Sequence, residues 1–178
     1  KWSRGTLKTK TLPPLPQPLA NSCGAVLGNT VYVAGGTASH DATNALKNFW
    51  SLDLKKRGAK WKQLDPWPGP ARMLSVAAVL GDSFYVAGGT DLYPDANGKP
   101  VRTYLKDAYR FTSGKGWKRV ADMPNPVVAA PTPAPVTSPT QFLVIGGADG
   151  SLANFEPKSQ HPGFPKRVLC FDALSDAW

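Results

Sequence analysis

Hydrophobic residues in this chain occur in short runs of about five residues, separated by turn residues. The runs are rich in valine, tyrosine and phenylalanine, and three of them end on a glycine pair: VYVAGG at 31–36, FYVAGG at 84–89 and FLVIGG at 142–147. Short β-branched and aromatic runs bounded by glycine, asparagine and aspartate are typical of β-strands. The pattern therefore predicts an all-β protein.

The same order of runs recurs three times along the chain. After each glycine pair comes a second β-rich run, beginning at Phe49, Ala108 and Val168, and then a tryptophan. A proline-bearing corner and a run of small apolar residues lead back to the next glycine pair. The tryptophans Trp2, Trp61, Trp117 and Trp178 are separated by 59, 56 and 61 residues. Each unit therefore supplies four predicted strands.

A unit of this length, with four short strands, a glycine pair and a tryptophan, resembles one blade of a kelch-type β-propeller. A single sheet cannot bury both of its apolar faces, so we expect three four-stranded antiparallel blades packed face to face. The chain would be one partial propeller domain, 1–178. Its predicted parts are an outer strand of a preceding blade (1–12), two blades (13–65 and 66–121) and a blade lacking the rest of its outer strand (122–178).

Three blades form only part of a ring, because propellers close with about four to eight blades. We expect the chain to be about half of a six-bladed propeller, whose missing half covers the two apolar blade faces that would otherwise stay exposed. An alternative is that two such chains associate into one ring as a homo-oligomer.

Prolines interrupt the innermost predicted strand of the third unit, at Pro131, Pro133 and Pro135. A proline removes a backbone donor and is normally excluded from paired strands. Because alternate residues send their N–H groups to the same side, all three missing donors fall on one edge. We therefore predict that the prolines face the central channel, while the next strand pairs with Ala130, Thr132, Ala134 and Val136.

Composition and charge exclude several classes of function. The net charge is +9, but the basic residues are scattered and only 55–57 form a run, which does not indicate a nucleic-acid partner. No apolar run is long enough for membrane insertion. Two histidines and two cysteines without metal-binding spacing predict neither a zinc site nor a radical-copper oxidase, so we expect no metal. The cysteines lie in strand-like runs and are interpreted as buried thiols.

The connections between predicted strands point to one functional face. Strands alternate in direction, so the three long segments 37–48, 90–106 and 148–167 emerge on the same side, called here the loop face. Binding residues concentrate on long loops held by a rigid scaffold. Arginine, lysine and histidine are common in these segments and their corners, which favours an anionic ligand.

The corner PGPAR, ending at Arg72, and the segment HPGFPKRVLCFDALSDAW, starting at His161, resemble the N-acetylneuraminate epimerase (sialic acid mutarotase) family, including its cyclically permuted members. This resemblance implies a six-bladed periplasmic or secreted isomerase. It would interconvert the α and β anomers of a free acidic sugar, N-acetylneuraminate, and would need no cofactor. Carbohydrate metabolism is the implied context.

The resemblance also assigns candidate residues. In the family, a glutamate directly after the glycine that closes the second strand and an arginine ahead of the third strand form the functional pair. Arg167 fits the second position, but Gly147 occupies the first, so that Glu156 would have to substitute. We expect Glu156 as acid/base and Arg167 as carboxylate clamp. The predicted substrate contacts are Arg72, Arg102, His161 and His40.

A different interpretation is a non-catalytic kelch module that binds a glycan or a protein partner through the loop face. Exposed aromatic residues favour binding surfaces, and the loop segments contain Tyr93, Tyr104, Phe155 and Phe164. The two interpretations differ in geometry. An enzyme should bring Glu156 and Arg167 within reach of one ligand atom, whereas a binding module has no need to.

Overall fold

The computed structural model describes residues 2–3, 5–7 and 9–178, so part of the predicted outer strand within 1–12 lies outside the described residues. The described chain is all-β, as predicted, and its one helical element is a 3-10 turn at Lys158–Gln160. Within these residues no helix has the length and apolar character needed to cross a membrane.

Antiparallel strands form three main sheets and two hairpins. In chain order the strands are β1 (Trp2–Ser3), β2 (Thr6–Leu7), β3 (Cys23–Leu27), β4 (Thr30–Ala34), β5 (Phe49–Asp53), β6 (Lys62–Gln63), β7 (Val76–Leu80), β8 (Ser83–Ala87), β9 (Thr90–Pro94), β10 (Pro100–Tyr104), β11 (Ala108–Thr112), β12 (Gly116–Val120), β13 (Val136–Ser138), β14 (Gln141–Ile145) and β15 (Val168–Asp172). The first blade is β3-β4-β5-β6, the second is β7-β8-β11-β12 and the third is β13-β14-β15. The strands β1-β2 and β9-β10 form the hairpins.

Aromatic rings fill the interface between the first two blades. Tyr32 and Phe49 of the first blade stack with their ring centroids 5.4 Å apart. The Tyr32 ring lies 5.5 Å from Phe84, and the Phe49 ring 4.9 Å from Phe111, both in the second blade. Because successive strand residues point to opposite faces, each blade presents one such row to its neighbour. Burial of these large rings is the main force that stacks the blades.

The second and third blades meet through an equivalent cluster. The Tyr85 ring lies 5.6 Å from Phe142 and 5.7 Å from Phe171, and Trp178 lies 5.1 Å from Phe171. Phe142 and Phe171 are each only 1% exposed. The repeat in the sequence is therefore a repeat of one packing interface.

The recurrent tryptophans also link consecutive blades through their indole N–H groups. The indole of each of the last three donates to a backbone carbonyl oxygen 48 to 57 residues earlier in the chain. The pairs are Trp61 to Pro13 at 3.0 Å, Trp117 to Asp65 at 2.8 Å and Trp178 to Ala121 at 2.7 Å. This bond explains why the tryptophan recurs in phase, since a ring of the same size without the donor could not make it.

The glycine pairs are required by backbone conformation and by close approach. Gly88 and Gly89 have φ values of 58° and 86°, in the left-handed region that glycine tolerates best. A Cβ at Gly89 would lie 2.6 Å from the carbonyl oxygen of Met73, and the Gly89 amide donates to Val127 O at 2.8 Å. The pair therefore marks the point where one blade touches the backbone of the next.

Three non-glycine residues with positive φ connect the blades near the channel. Asn21, Leu74 and Ala129 have φ values of 56°, 56° and 59° and occupy equivalent places before their blades. The Leu74 amide donates to Asn21 O at 2.8 Å, and the Ala129 amide donates to Leu74 O at 2.9 Å. This conformation costs an L-residue roughly 1 kcal/mol, which the hydrogen bonds between blades offset.

The proline-rich segment 130–136 departs from the prediction. Regular pairing with β14 begins only at β13, and the Ala134 amide donates to Ala77 O of the second blade at 2.7 Å. The Thr132 hydroxyl oxygen accepts from the Ala77 amide at 3.0 Å. The prediction of pairing within the third blade was therefore wrong for Thr132 and Ala134, whereas Val136 pairs with Phe142 of β14 as predicted. Prolines leave too few donors for a ladder along the whole segment, so the Thr132 hydroxyl and the Ala134 amide bond to the neighbouring blade.

Candidate functional site

A cleft of about 890 Å³ opens on the loop face and draws on all three blades. The first blade contributes residues 21, 37 and 39–42, the β9-β10 hairpin of the second contributes 92, 95, 99–102 and 104, and the third contributes 153–154. The three long segments therefore share one side of the molecule, as strand alternation predicted.

The hairpin β9-β10 forms one wall of this cleft. The segment 90–106 was predicted to be an irregular loop, but ten of its residues pair in regular register. Arg102 lies opposite Leu92, so the two side chains share one face of the hairpin, and both line the cleft. Leu92 packs on Ala45 and Met73, and the Ala45 amide donates to Leu92 O at 2.8 Å. The first blade thus anchors the hairpin.

The third blade holds the other side of the hairpin through Tyr104. A Cβ at Gly150 would lie 2.6 to 2.7 Å from the carbon atoms of the Tyr104 ring, so the ring rests directly on the Gly150 backbone. Gly150 also has φ of 86°. The contact requires glycine for two reasons and places Tyr104 between the cleft and the loop that follows β14.

Charged side chains of both signs line the cleft, and some of them already have hydrogen-bond partners within the protein whereas others do not. The Asp95 Oδ1 atom accepts the amides of Asn97 and Lys99, both at 2.9 Å, and so closes the hairpin turn. A hydrogen bond from the Ser39 hydroxyl lowers the pKa of the exposed Asp41 carboxyl. Within the described residues, no carboxylate lies within ion-pair distance of Arg102. The Arg102 guanidinium is thus a cation that is available to a ligand.

Arg72, predicted to contact substrate, is fully buried between the first two blades. Its Nη2 atom donates to Asp107 Oδ2 at 2.8 Å, and its Nη1 atom donates to Gly88 O at 3.0 Å. The guanidinium lies 5.3 Å from the ring centroids of Trp67 and Tyr109. Burial and the Asp107 carboxylate raise the pKa of Tyr109 to about 12. A direct substrate contact does not fit this position, because no surface of Arg72 reaches the cleft.

Equivalent contacts in the structure show that Arg72 occupies an interior position. The Gly36 amide donates to Arg72 O, just as the Gly89 amide donates to Val127 O one unit later. Val127 is 4% exposed. Arg72 and Val127 therefore occupy equivalent buried positions, where a charge needs a partner. Aligning the sequence units by their glycine pairs sets Arg72 opposite Asn125 and does not reveal this equivalence.

Among the described residues, no hydrogen bond or ion pair links Glu156 to Arg167, the predicted catalytic pair. The Glu156 Oε1 atom lies 3.2 Å from Lys158 Nζ, and both side chains are mainly exposed. The Arg167 Nη2 atom lies 3.9 Å from Asp149 Oδ2. Hydrogen bonds from Ser151, with a smaller contribution from the Arg167 cation, lower the pKa of Asp149. Neither Glu156 nor Arg167 lines the cleft, so their catalytic roles stay predictions.

His161 and His40 occupy different places on the loop face. His40 is exposed and lines the cleft together with Arg102. His161 lines a separate cavity of about 60 Å³, and its ring centroid lies 5.6 Å from Phe155 and 5.4 Å from Phe164. The four predicted substrate contacts are therefore divided among the cleft, the small cavity and the blade interface.

In the part of the chain that the structure describes, no three His, Cys, Asp or Glu side chains come together as a metal site requires. Of the two cysteines, Cys23 is buried and Cys170 is exposed, and neither forms a disulfide. The interpretation of both thiols as buried was therefore wrong for Cys170. Cys170 lies in β15 opposite Leu143, on the face of the third blade that turns away from the second.

Comparison with known proteins identifies the family. The N-acetylneuraminate epimerase family model matches residues 12–157. The N-acetylneuraminate epimerase of Salmonella arizonae is 32% identical over 141 residues, which cover 78% of this chain and 34% of that protein. The Haemophilus influenzae protein of the same name is 30% identical over 147 residues, covering 82% and 36%. The chain spans about a third of the length of these relatives.

A solved structure shows the same fold. The structure of YjhT superposes with a TM-score of 0.68 at 19% identity, covering 80% of this chain and 42% of that chain. Together with the three stacked sheets, this likeness confirms the predicted kelch-type β-propeller, of which these residues form a part. The total of six blades and the exact blade boundaries stay predictions. The chain belongs to the N-acetylneuraminate epimerase family.

Proposed function

We propose that the full-length protein interconverts the α and β anomers of free N-acetylneuraminate. The proposal is supported by the match of residues 12–157 to the family and above all by one structural observation. An open cleft of about 890 Å³ on the loop face contains an arginine that has no carboxylate partner among the described residues. An acidic sugar supplies the missing carboxylate.

Recognition of the carboxylate is assigned to Arg102, with Lys99 beside it on the same hairpin. A guanidinium binds a carboxylate through two parallel hydrogen bonds, and the site is stronger when the side chain is carried by a rigid element. The contact of Leu92 with Ala45 and the contact of Tyr104 with Gly150 supply that rigidity. His40 faces the same space from the first blade and is assigned to the sugar hydroxyl groups.

The chemistry requires proton transfer and no redox step. A general base removes the proton of the anomeric hydroxyl while a general acid protonates the ring oxygen, and the bond from the anomeric carbon to the ring oxygen breaks. Rotation of the resulting keto acid and closure on the other face gives the second anomer. Glu156 remains the proposed acid/base and Arg167 its partner, and both must leave their contacts with Lys158 and Asp149 to act. An equivalent pair in another blade is the alternative.

Exchange spectroscopy by NMR tests the proposal. The full-length protein should accelerate the exchange between the two anomers above its spontaneous rate. Arg102→Met should lower kcat/KM by about 10- to 100-fold, because a hydrogen bond to a charged group contributes roughly 1.5–3 kcal/mol. Arg57→Met is the matched control, since Arg57 is exposed and does not line the cleft. An Arg102→Met rate equal to that of the control would overturn the assignment.

A second candidate function is a module that binds a glycan or protein partner without catalysis. The observation that favours it is the exposure of Phe164 at 68% and Tyr93 at 43% on the loop segments. Such a module should bind the sugar or a partner while leaving the anomer exchange at its spontaneous rate. The exchange experiment therefore separates the two functions.

Location and assembly are part of the same proposal. We propose a periplasmic or secreted protein, which cell fractionation would test. On the face of the third blade that turns away from the second, Ile145 is 41% and Val168 58% exposed. We propose that the remaining blades of the propeller cover this apolar surface, with a second copy of the chain as the alternative. A monomeric full-length protein in sedimentation analysis would favour the remaining blades.

A further inference from the structure

A second, smaller cavity of about 60 Å³ adjoins the cleft on the loop face. Tyr104 and Ala153 line both spaces, so the two share a wall. The small cavity, but not the cleft, is also lined by Ala148, Leu152 and Pro165, which give it a mainly apolar surface. An apolar recess beside a polar cleft is suited to an apolar substituent of the same ligand.

One polar group at this cavity has a defined hydrogen-bonding role. The His161 Nδ1 atom accepts the amide N–H of Gly163 at 3.0 Å. A neutral imidazole whose Nδ1 is an acceptor carries its proton on Nε2, so that Nε2 is a donor. The rings of Phe155 and Phe164 lie within 5.6 Å of the imidazole and limit its movement. The cavity thus combines apolar walls with the His161 N–H donor and, at its border, the Asp149 carboxylate.

We propose that this cavity binds the acyl part of an acylamino substituent on the sugar acid, with the methyl group against Leu152 and Ala148 and the carbonyl oxygen toward His161 Nε2. The assignment rests on the proposed function, and it specifies which feature of the sugar the site selects. A volume of about 60 Å³ is roughly twice the space one water takes in the liquid, which suits an acetyl group and excludes longer acyl chains.

The position of Tyr104 fits this selection. Its ring lies on the Gly150 backbone and borders both spaces, so it separates the part of the ligand held in the cleft from the part held in the cavity. Arg102 precedes it by two residues on β10 and therefore shares its face of the hairpin. Carboxylate recognition and acyl recognition are then carried by one rigid element.

Paired substrates and reciprocal variants of the full-length protein test the cavity. The probes are N-acetylneuraminate, the analogue with a hydroxyl in place of the acetamido group, and the N-butanoyl analogue. Wild-type kcat/KM for anomer exchange should favour the acetyl compound about tenfold over the hydroxyl analogue. Ala148→Leu should remove this preference by filling the cavity. Leu152→Ala should enlarge it and raise the relative rate for the butanoyl compound.

Ala42→Leu is the matched control, because Ala42 lines the cleft but not the small cavity. It should leave the acetyl-to-hydroxyl preference unchanged whatever it does to the rate. Unchanged preferences in both cavity variants would overturn the proposal. A gain for the butanoyl compound in Leu152→Ala supports it even where Ala148→Leu fails to fold.

Failure of the proposed mutarotase function can be distinguished from failure of the proposed acyl-binding cavity. If the wild-type protein accelerates exchange of neither sugar, the mutarotase proposal fails. Saturation-transfer NMR of bound N-acetylneuraminate then decides the cavity alone. Strong saturation of the acetyl methyl protons that is lost in Ala148→Leu supports the acyl site, and saturation confined to the other sugar protons overturns it.

Discussion

Arg72 and Arg102 are the same side chain in two opposite environments. Arg72 is fully buried at a blade interface, paired with Asp107 and enclosed by the rings of Trp67 and Tyr109. Arg102 is exposed in the cleft, without a carboxylate partner among the described residues. The difference shows that residue type alone does not identify a binding residue. Burial and existing partners decide whether a cation holds the fold or meets a ligand.

The two regions also differ in how they are built. The blade interfaces repeat, with aromatic clusters and indole hydrogen bonds that recur from one unit to the next. The cleft does not repeat. Among the described residues, the segment after the glycine pair forms a hairpin in the second blade alone, and the corresponding loop of the third blade is the longest. The features that recur in every unit are those that stabilise the packing of one blade on the next. The features that occur in one unit form the cleft.

The largest expected effect is the loss of the interior arginine. Arg72→Met should lower the free energy of unfolding by about 3–5 kcal/mol, because it leaves the Asp107 carboxylate buried without its partner. Urea unfolding of the full-length protein measures this. Arg72→Met combined with Asp107→Leu should recover part of the loss, since the unpaired charge is then removed as well.

Arg119→Met is the control for this experiment. Arg119 forms a bidentate ion pair with Asp122, at 2.8 and 2.9 Å, but its side chain is 59% exposed. Exposed pairs contribute little, so the stability should change little. If Arg72→Met lowered the free energy of unfolding no more than Arg119→Met does, the proposed difference between an interior and a surface arginine would be contradicted.

A smaller effect is expected where the hairpin meets the third blade. Gly150→Ala should destabilise the protein by about 1–3 kcal/mol and weaken sugar binding, because a methyl group has no room beside Tyr104 and the positive φ is strained. Gly114→Ala imposes similar backbone strain at φ of 78°, yet nothing lies within 4 Å of its added Cβ, and Gly114 lines neither the cleft nor the small cavity. Thermal unfolding and sugar titration of both variants should separate the steric clash with Tyr104 from the backbone strain that both variants share. Equal losses of stability and of sugar affinity in the two variants would contradict the contact between Gly150 and Tyr104.

The smallest effect concerns the buried thiol of Cys23. Burial raises the pKa of Cys23 to about 11 from 9.0. Between pH 9 and pH 11 the folded state therefore keeps the Cys23 thiol proton, whereas the unfolded chain loses it. The contribution of this thiol to the free energy of unfolding is fully present below pH 9 and is lost as the pH rises towards 11. Between pH 8 and pH 10.5 the urea midpoint of the wild type should fall further than that of Cys23→Ala. Identical pH dependence would show that Cys23 is not buried.

Much of the fold follows from the sequence because the same residues serve the same purpose in each unit. Gly89 and Trp117 recur at fixed phase, and each has a contact with a neighbouring blade that only its residue type can make. The prolines of 130–136 were harder to interpret. Their missing donors were evident, but which blade the remaining amides would bond depends on packing between blades and not on the local sequence.

The site was predictable only in outline. Strand alternation correctly placed the long segments on one face, and His40 and Arg102 do line its cleft. The hairpin that positions Arg102 depends on Ala45 and Gly150, which are distant in sequence and carry no local signal of that contact. Neither the burial of Arg72 nor the ion-pair partners of Glu156 and Arg167 could be predicted from the sequence.

The central claim is that one cleft, walled by all three blades, holds an acidic sugar by its carboxylate. A crystal structure of the full-length protein soaked with N-acetylneuraminate tests it most directly. The account predicts electron density for the sugar between residues 39–42 and the β9-β10 hairpin, with its carboxylate on the Arg102 guanidinium. A sugar bound elsewhere, with the Arg102 side chain turned to solvent, would contradict it.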